Sequence, residues 1–124
     1  MGKYVLKEGK SGFHFNLKAA NGEIIANSEV YSSEKSALAG IESVKNNAPI
    51  APVEDQTKEG YEVEKHPKFE LYKDKKGEFR FRLKAKNGEI IATGEGYVSK
   101  SGCKNGIASI KKNADSPVIR EEAK

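Results

Sequence analysis

The chain has 124 residues, of which 36% are hydrophobic, 8% aromatic and 32% charged, so it suits one small domain or two very small ones and leaves no room for a multidomain enzyme. Its 22 basic and 18 acidic residues give a net charge of +4, short of the dense basic clustering of a dedicated nucleic-acid binder. No apolar run is long enough to span a membrane and no secretory signal pattern is found. With a single cysteine, a cytoplasmic protein that does not depend on disulfides is expected.

The first predicted elements form a meander of strands. Apolar side chains occupy every second position of residues 13–19, which is the period of a half-buried strand. A short glycine-bounded loop connects this strand to the one before it. That loop sets Leu6 opposite Phe15 and Tyr4 opposite Leu17, so one face of the meander is apolar.

The next signal is a hairpin turn at Asn21-Gly22. Asn-Gly is the dipeptide best suited to a two-residue type I′ turn, in which both central residues have positive φ. The turn predicts a third strand that begins at Glu23.

A helix is predicted over about residues 33–47, with Ser33 as its N-cap and one narrow apolar stripe at helical spacing. Gly40 lies on that stripe. Glycine costs about 1 kcal/mol relative to alanine inside a helix, so its position indicates that the helix backbone lies close against the sheet. A short further strand is predicted over about residues 51–55.

These elements recur in the second half of the chain. The string KAANGEIIANSEVYSS at residues 18–33 returns as KAKNGEIIATGEGYVS at residues 84–99. Residues 15–48 align with residues 81–114 without a gap, with 19 identities in 34 positions. This internal duplication predicts a second set of three strands, a helix over about residues 99–113 and a short strand over about residues 116–121.

The duplication divides the chain into repeat one (residues 1–55), a connector (residues 56–67) and repeat two (residues 68–124). One repeat of this size would bury too little surface to be stable alone. We therefore predict an α+β fold in which both repeats form one antiparallel sheet with two helices packed on one face. Such a pseudo-twofold domain acts as an internal dimer, and a monomer is expected.

The pattern FxLKAxNGEIIAxxExYxS, followed by GIxSxKxNA, resembles the tandem domain of the YegP-like family of small bacterial and archaeal proteins. The resemblance covers nearly the whole chain twice. It implies a strand-strand-strand-helix-strand unit in two copies whose terminal strands are exchanged between units. It implies little about activity, because the family is known chiefly as a domain of unknown function. The connector departs from the family pattern by the added residues 60–67.

The most informative predicted surface is the outer face, which is the face of the sheet turned away from the helices. In repeat two a basic stripe interleaved with aromatic and aliphatic side chains is predicted there: Tyr72, Arg80, Arg82, Lys84, Lys86, Ile91 and Tyr97. Phosphates could bind the cations and bases could stack on the tyrosines. The predicted register also gives the charge pairs Arg80 with Glu95, Arg82 with Glu70, and Lys86 with Glu89. Such pairs are ordinary sheet stabilisation.

Neither the cysteine nor the two histidines indicate a catalytic or metal-binding site. Cys103 occupies the apolar stripe of the second helix where repeat one has Ala37, which favours a small core residue over a reactive thiol. His14 and His66 lack the spacing of a metal-ligand pair. No catalytic residue, metal or cofactor is predicted.

The sequence thus predicts a small, cytoplasmic, non-enzymatic binding or interaction module. Its partner is unidentified and would be a protein or a polyanion, without membrane association. The alternative is a module that binds nucleic acid or another polyanion through the basic outer face of repeat two.

Overall fold

The computed structural model of the protein describes residues 2–121. Met1 and residues 122–124, which the predicted repeat boundaries include, lie outside the described part. The elements in chain order are β1 (Lys3–Gly9), β2 (Gly12–Lys18), β3 (Ile24–Asn27), α1 (Glu34–Asn47), β4 (Val53–Asp55), β5 (Lys68–Lys73), β6 (Phe79–Lys84), β7 (Ile90–Thr93), α2 (Lys100–Asn113) and β8 (Val118–Glu121).

All eight of these strands form one sheet, in the order β4-β5-β6-β7-β3-β2-β1-β8. The repeats meet at β3 and β7, where Asn27 pairs with Thr93. These two residues are equivalent positions of the duplication, so the pseudo-twofold axis passes between them. The last strand of each repeat lies in the other repeat's half of the sheet, and the exchange of terminal strands is confirmed.

The two edge pairs, β4 with β5 and β1 with β8, run parallel, whereas the six inner strands are antiparallel. The sheet is therefore mixed and not antiparallel throughout as predicted. Parallel neighbours need a crossover of about a dozen residues or more. The connector supplies a crossover of that length between β4 and β5.

The predicted meander registers are confirmed in repeat one. Tyr4 lies opposite Leu17 and Leu6 lies opposite Phe15. The same pairing recurs in repeat two, between β5 and β6. These side chains point toward the helices and are buried in the core.

The hairpin turns differ from the prediction. Gly22 and Gly88 have φ values of 87° and 83°, while Asn21 and Asn87 do not have positive φ, so the turns are not type I′. Each asparagine side chain instead accepts the backbone N–H two residues later, at 3.0 Å. This geometry suits a type I turn closed by a left-handed glycine. Ala85 N–H donates to Glu89 O at 2.9 Å, so the predicted pairing of Lys86 with Glu89 is wrong, and the register shift ends at a bulge between Leu83 and Lys84.

Both helices begin and pack as predicted. Ser33 and Ser99 are the N-caps, and each side chain accepts the backbone N–H three residues later. The apolar stripes of both helices are buried. Gly40 and Gly106 are small because a tyrosine ring fills the space above each: Tyr31 lies over Gly40, and Tyr97 lies over Gly106.

Candidate binding surface

Four of the seven predicted surface residues lie together on the outer face of β5 and β6. Tyr72 is the cross-strand partner of Arg80, and the guanidinium of Arg82 lies 4.5 Å from the centre of the Tyr72 ring. Lys84 follows on the same strand. Lys86 lies beyond the end of β6, in the turn before β7, where it is exposed.

Neither Ile91 nor Tyr97 adds to this surface, and the prediction that Tyr97 lies on the outer face is wrong. Ile91 is 6% exposed and belongs to the core cluster; it is the unpaired residue of a bulge, since Leu83 pairs with Ala92 while Lys84 pairs with Ile90.

Tyr97 follows an excursion of the chain that starts where β7 ends. Its ring stacks on Phe81 at 6.4 Å between centroids, on the helix side of the sheet. A Cβ at Gly94 would overlap the Phe81 ring, so glycine permits this close passage of the backbone. The tyrosine is therefore a packing residue.

The cations of the outer face in repeat two have carboxylate partners. Glu70 accepts from Arg82 Nε at 2.5 Å and lies 3.3 Å from Lys84 Nζ, which confirms the predicted Arg82–Glu70 pair. The predicted Arg80–Glu95 pair is wrong. Arg80 Nε lies 2.6 Å from Asp74 Oδ2, because the backbone leaves the sheet after β7 and Glu95 leaves with it.

A buried charge cluster adjoins this surface, and apart from the Arg82–Glu70 pair it was not predicted. Lys68 Nζ lies 2.7 Å from Glu54 Oε2 and 3.3 Å from Glu70 Oε2. All three side chains are nearly inaccessible to solvent. Glu54 comes from β4, so the cluster depends on the strand exchange. We call Glu54, Lys68, Glu70, Arg82 and Lys84 the closed cluster.

The connector covers the closed cluster at the β4 edge. Gln56 Nε2 donates to Glu54 Oε1 and the backbone N–H of Glu64 donates to Glu54 Oε2, both at 2.7 Å. The side chain of Glu54 is only 2% exposed as a result. Sequence reasoning could have found this cluster only by knowing that β4 pairs with β5, since that pairing alone aligns Glu54 with Glu70.

Hydrogen bonds and ion pairs affect the pKa values of Glu54 and Lys68 more strongly than burial does. Burial by itself would raise the pKa of Glu54, yet donation by Gln56, Lys68 and the Glu64 backbone lowers the pKa to about 2. Burial opposes the charge of Lys68 as well, but the carboxylates of Glu54 and Glu70 raise its pKa above the ordinary value. Glu54 and Lys68 therefore both stay charged at neutral pH.

The corresponding place in repeat one is built differently. The bonds from Phe69 N to Pro52 O and from Tyr4 N to Pro117 O are both 2.8 Å, so β4 joins β5 and β8 joins β1 in the same way. Counted from these bonds, the residue of β8 that corresponds to Glu54 is Ile119, which is 45% exposed. We call the outer face of β1, β2 and β8 the open half of the outer face.

Other candidate groups are structural. Cys103 is buried, and burial together with the nearby Asp55 carboxylate raises the pKa of the thiol to about 11, so it is protonated and unreactive at neutral pH. Within residues 2–121, no group of three or more His, Cys, Asp and Glu side chains is placed to hold a metal. No helix in that range has the length and apolar character needed to cross a membrane.

Two open clefts of similar size lie at equivalent places beside the hairpin turns. One, of about 520 Å³, lies between the Ala19–Asn21 turn and the end of α2; its helix wall includes Lys112. The other, of about 500 Å³, lies between α1 and Lys86. Lys86 thus faces a cleft on the helix side and is separated from the predicted stripe.

The architecture defines a class of protein: a duplicated α+β domain in which two units share one sheet and exchange their last strands. A family model described as "Domain of unknown function (DUF1508)" matches residues 10–55 and 74–121, one match for each repeat. The chain belongs to this family, and the resemblance found in the sequence is confirmed.

Named relatives agree with this assignment. The chain is 43% identical over 122 residues to the UPF0339 protein YegP of Yersinia pestis, covering 98% of this chain and 96% of that protein. The solution NMR structure of the Escherichia coli protein of unknown function yegP matches with a TM-score of 0.81 and 33% identity, covering 99% of this chain and 95% of that chain. A UPF0339 protein of Treponema denticola is 61% identical over 54 residues, which are 44% of this chain but 93% of that protein. That relative has the length of a single repeat.

Proposed function

We propose that this chain is a non-enzymatic binding module that engages a macromolecular partner through the open half of its outer face. One observation carries the proposal. Equivalent strands build both halves of the outer face, yet Glu54 is 2% exposed beneath the connector while Ile119, its counterpart, is 45% exposed. Single exposed aliphatic side chains are ordinary on protein surfaces; what distinguishes Ile119 is that the connector covers the equivalent position of the other half.

The electrostatics of the charged residues support a structural role over a catalytic one. Burial raises the pKa values of Glu54, Asp55, Glu70 and Asp74, but the hydrogen bonds and ion pairs that these carboxylates accept outweigh it, so all four pKa values are lowered. A general acid working near neutral pH needs a carboxyl pKa shifted in the opposite direction.

The duplication supports a monomer in the cytoplasm as part of this proposal. A relative with the length of one repeat must find its missing strand in another chain if it builds the same sheet. The present chain supplies both units itself. Its lone buried thiol suits a compartment in which disulfides are not formed.

The alternative function is nucleic-acid or polyanion binding by Tyr72, Arg80, Arg82, Lys84 and Lys86. The arginine placed over the tyrosine ring at 4.5 Å favours it, since such pairs also stack on bases. It is the weaker candidate, because three of the four cations already have carboxylate partners.

Affinity capture from a lysate of the source cells tests the proposed function. The wild-type chain is compared with Ile119→Glu and with Val63→Glu, which alters an exposed valine of the connector as a matched control. A partner that is captured by the wild type and by Val63→Glu but lost with Ile119→Glu is the expected result. Equal recovery with all three proteins would show that the open half of the outer face is not the binding surface.

Fluorescence anisotropy with a labelled single-stranded oligonucleotide at low and moderate salt tests the alternative. Arg80→Gln and Lys86→Gln are suitable variants, since both residues lie outside the closed cluster. The alternative requires binding at low salt and a salt dependence that weakens in these variants. We expect the variants and the wild type to have the same salt dependence.

A further inference from the structure

The lysines of the closed cluster have counterparts in the open half of the outer face. Lys68 and Lys84 lie opposite each other on β5 and β6, and Lys3 and Lys18 lie opposite each other on β1 and β2. Directly opposed side chains have Cβ atoms about 5 Å apart, and like charges so placed repel. Each pair therefore favours an anion beside it.

Only the pair in repeat two has its anions within the chain. Glu70 lies 3.3 Å from Lys84, and Lys68 contacts both carboxylates of the closed cluster. In repeat one the residue that corresponds to Glu70 is Val5. Among residues 2–121, neither Lys3 nor Lys18 has an ion pair.

The aliphatic replacements change the chemistry of the place as well as its charge. Val5 is buried and lies beside Ile119 in the register of β1 and β8. Two lysines without counter-ions therefore lie near one exposed aliphatic side chain, Ile119, at an edge of the described sheet. A ligand that fits must carry carboxylates and apolar groups at close spacing.

The chain itself shows that an extended segment can occupy such a position. In repeat two the connector runs over the β4 edge and donates the Glu64 N–H to the closed cluster. Its sequence there is Tyr61-Glu62-Val63-Glu64, an alternation of apolar and acidic residues. An edge strand also offers backbone hydrogen bonds to an added segment.

We infer that the open half of the outer face binds an extended acidic segment of a partner protein, with carboxylates on Lys3 and Lys18 and an apolar side chain on Ile119. This inference rests on the proposed function and specifies the chemistry of the partner. Each exposed carboxylate–lysine contact contributes modestly, so a longer segment is needed for tight binding.

Fluorescence anisotropy with a labelled, end-capped decapeptide in which glutamate alternates with valine and tyrosine tests the inference. The full chain is compared with the double variant Lys3→Met, Lys18→Met. The matched control is Lys75→Met, Lys76→Met, which removes two exposed lysines from the β5–β6 turn. Thermal unfolding followed by circular dichroism shows that each variant is folded.

We expect the Lys3, Lys18 variant to bind roughly tenfold more weakly than the wild type, as the loss of two charge contacts predicts. The Lys75, Lys76 control should bind like the wild type, and a peptide with glutamine in place of glutamate should bind at least as weakly as the first variant does. Equal losses in both double variants, an unchanged affinity in the first, or no binding at millimolar peptide would overturn the inference.

Two further measurements separate other occupants. Binding to vesicles containing phosphatidylserine that exceeds peptide binding and depends on Lys3 and Lys18 would assign the surface to lipid and overturn the inference. Sedimentation of the wild type as a dimer that Ile119→Glu dissociates would assign it to a second copy and overturn it equally. If the peptide alone fails to bind, the inference is wrong but the proposed function is still tested by the capture experiment, which makes no assumption about the partner's charge.

Discussion

A methyl group added at Gly106 should destabilise the protein, although alanine is the better helix former. An ideal Cβ at this position would overlap Tyr97 Oη and would lie 2.9 Å from Tyr97 Cζ and 3.3 Å from Phe81 Cε2. The Tyr97 ring has little freedom to withdraw. It stacks on Phe81, and its backbone exchanges two hydrogen bonds of 2.8 Å with Phe79.

The magnitude follows from two opposing effects. Replacing glycine by alanine inside a helix gains about 1 kcal/mol, while overpacking a close-packed core costs about 1–3 kcal/mol. The ring is fixed on two sides, so we take the upper end of that cost and expect a net loss of about 2 kcal/mol. For a chain of this length that corresponds to a melting temperature lower by roughly 6–12 °C.

Chemical and thermal denaturation of Gly106→Ala provide the assay. Asn105→Ala, at an exposed position of the same helix, is the control and should be neutral or slightly stabilising. Tyr97→Phe removes the overlapping oxygen, so the double variant should be more stable than the sum of the single effects. A rise in melting temperature for Gly106→Ala would refute the placement of Tyr97 between helix and sheet.

Three other predictions concern the closed cluster and the repeats. Lys68→Met leaves buried carboxylates without their cation and should cost about 3 kcal/mol of unfolding free energy, whereas Lys3→Met at the equivalent exposed position should change it by less than about 0.5 kcal/mol; urea denaturation of both variants checks this. The pKa of Glu54 is about 2 in the folded protein against an ordinary 4.5, so its stabilisation is fully present above about pH 4.5 and is lost as pH falls toward 2. The stability difference between wild type and Glu54→Gln should therefore shrink over that pH range, and a difference independent of pH would contradict the assignment. Cutting the chain near Gly60 should give halves that are unfolded or associated, and two stable monomeric halves in ultracentrifugation would contradict the shared sheet.

The sequence was most informative where structure depends on near neighbours along the chain. The alternation around Phe15 and Phe81 predicted both meander registers, because the side-chain period and a short loop together determine strand pairing. Ser33 and Ser99 correctly predicted where the helices begin, because an N-cap depends only on residues within the first turn. The duplication strengthened each inference by supplying an independent second copy.

Errors arose where one local signal allowed two geometries. An Asn-Gly dipeptide suits a type I′ turn, yet here the asparagine side chain accepts the backbone N–H of Glu89 and only Gly88 has positive φ. The turn adds a residue that the hydrophobic pattern does not reveal, and Ile91 is the unpaired residue of the bulge that follows.

Beyond the Arg82–Glu70 pair, the closed cluster could not be predicted from the alternation of residues along the strands. Glu54 meets Lys68 only after β4 has crossed into the half of the sheet that repeat two builds. Arg80, Arg82 and Lys84 do lie in a row on the outer face as predicted, but the Glu70 carboxylate pairs with two of these three cations. Composition and alternation reveal where charges lie along a strand and not what the next strand places beside them.

Equivalent parts of the outer face are closed in repeat two and open in repeat one, and lysine labelling distinguishes the two halves. The folded chain is exposed briefly to an amine-acetylating reagent, and the modified positions are quantified by mass spectrometry. The side chain of Lys68 is 6% exposed and held by two carboxylates, while its counterpart Lys3 is exposed. We predict that Lys3 reacts at least about tenfold faster than Lys68 in the folded protein, and that the two react alike after denaturation. Equal rates at the two lysines in the folded protein would contradict the account.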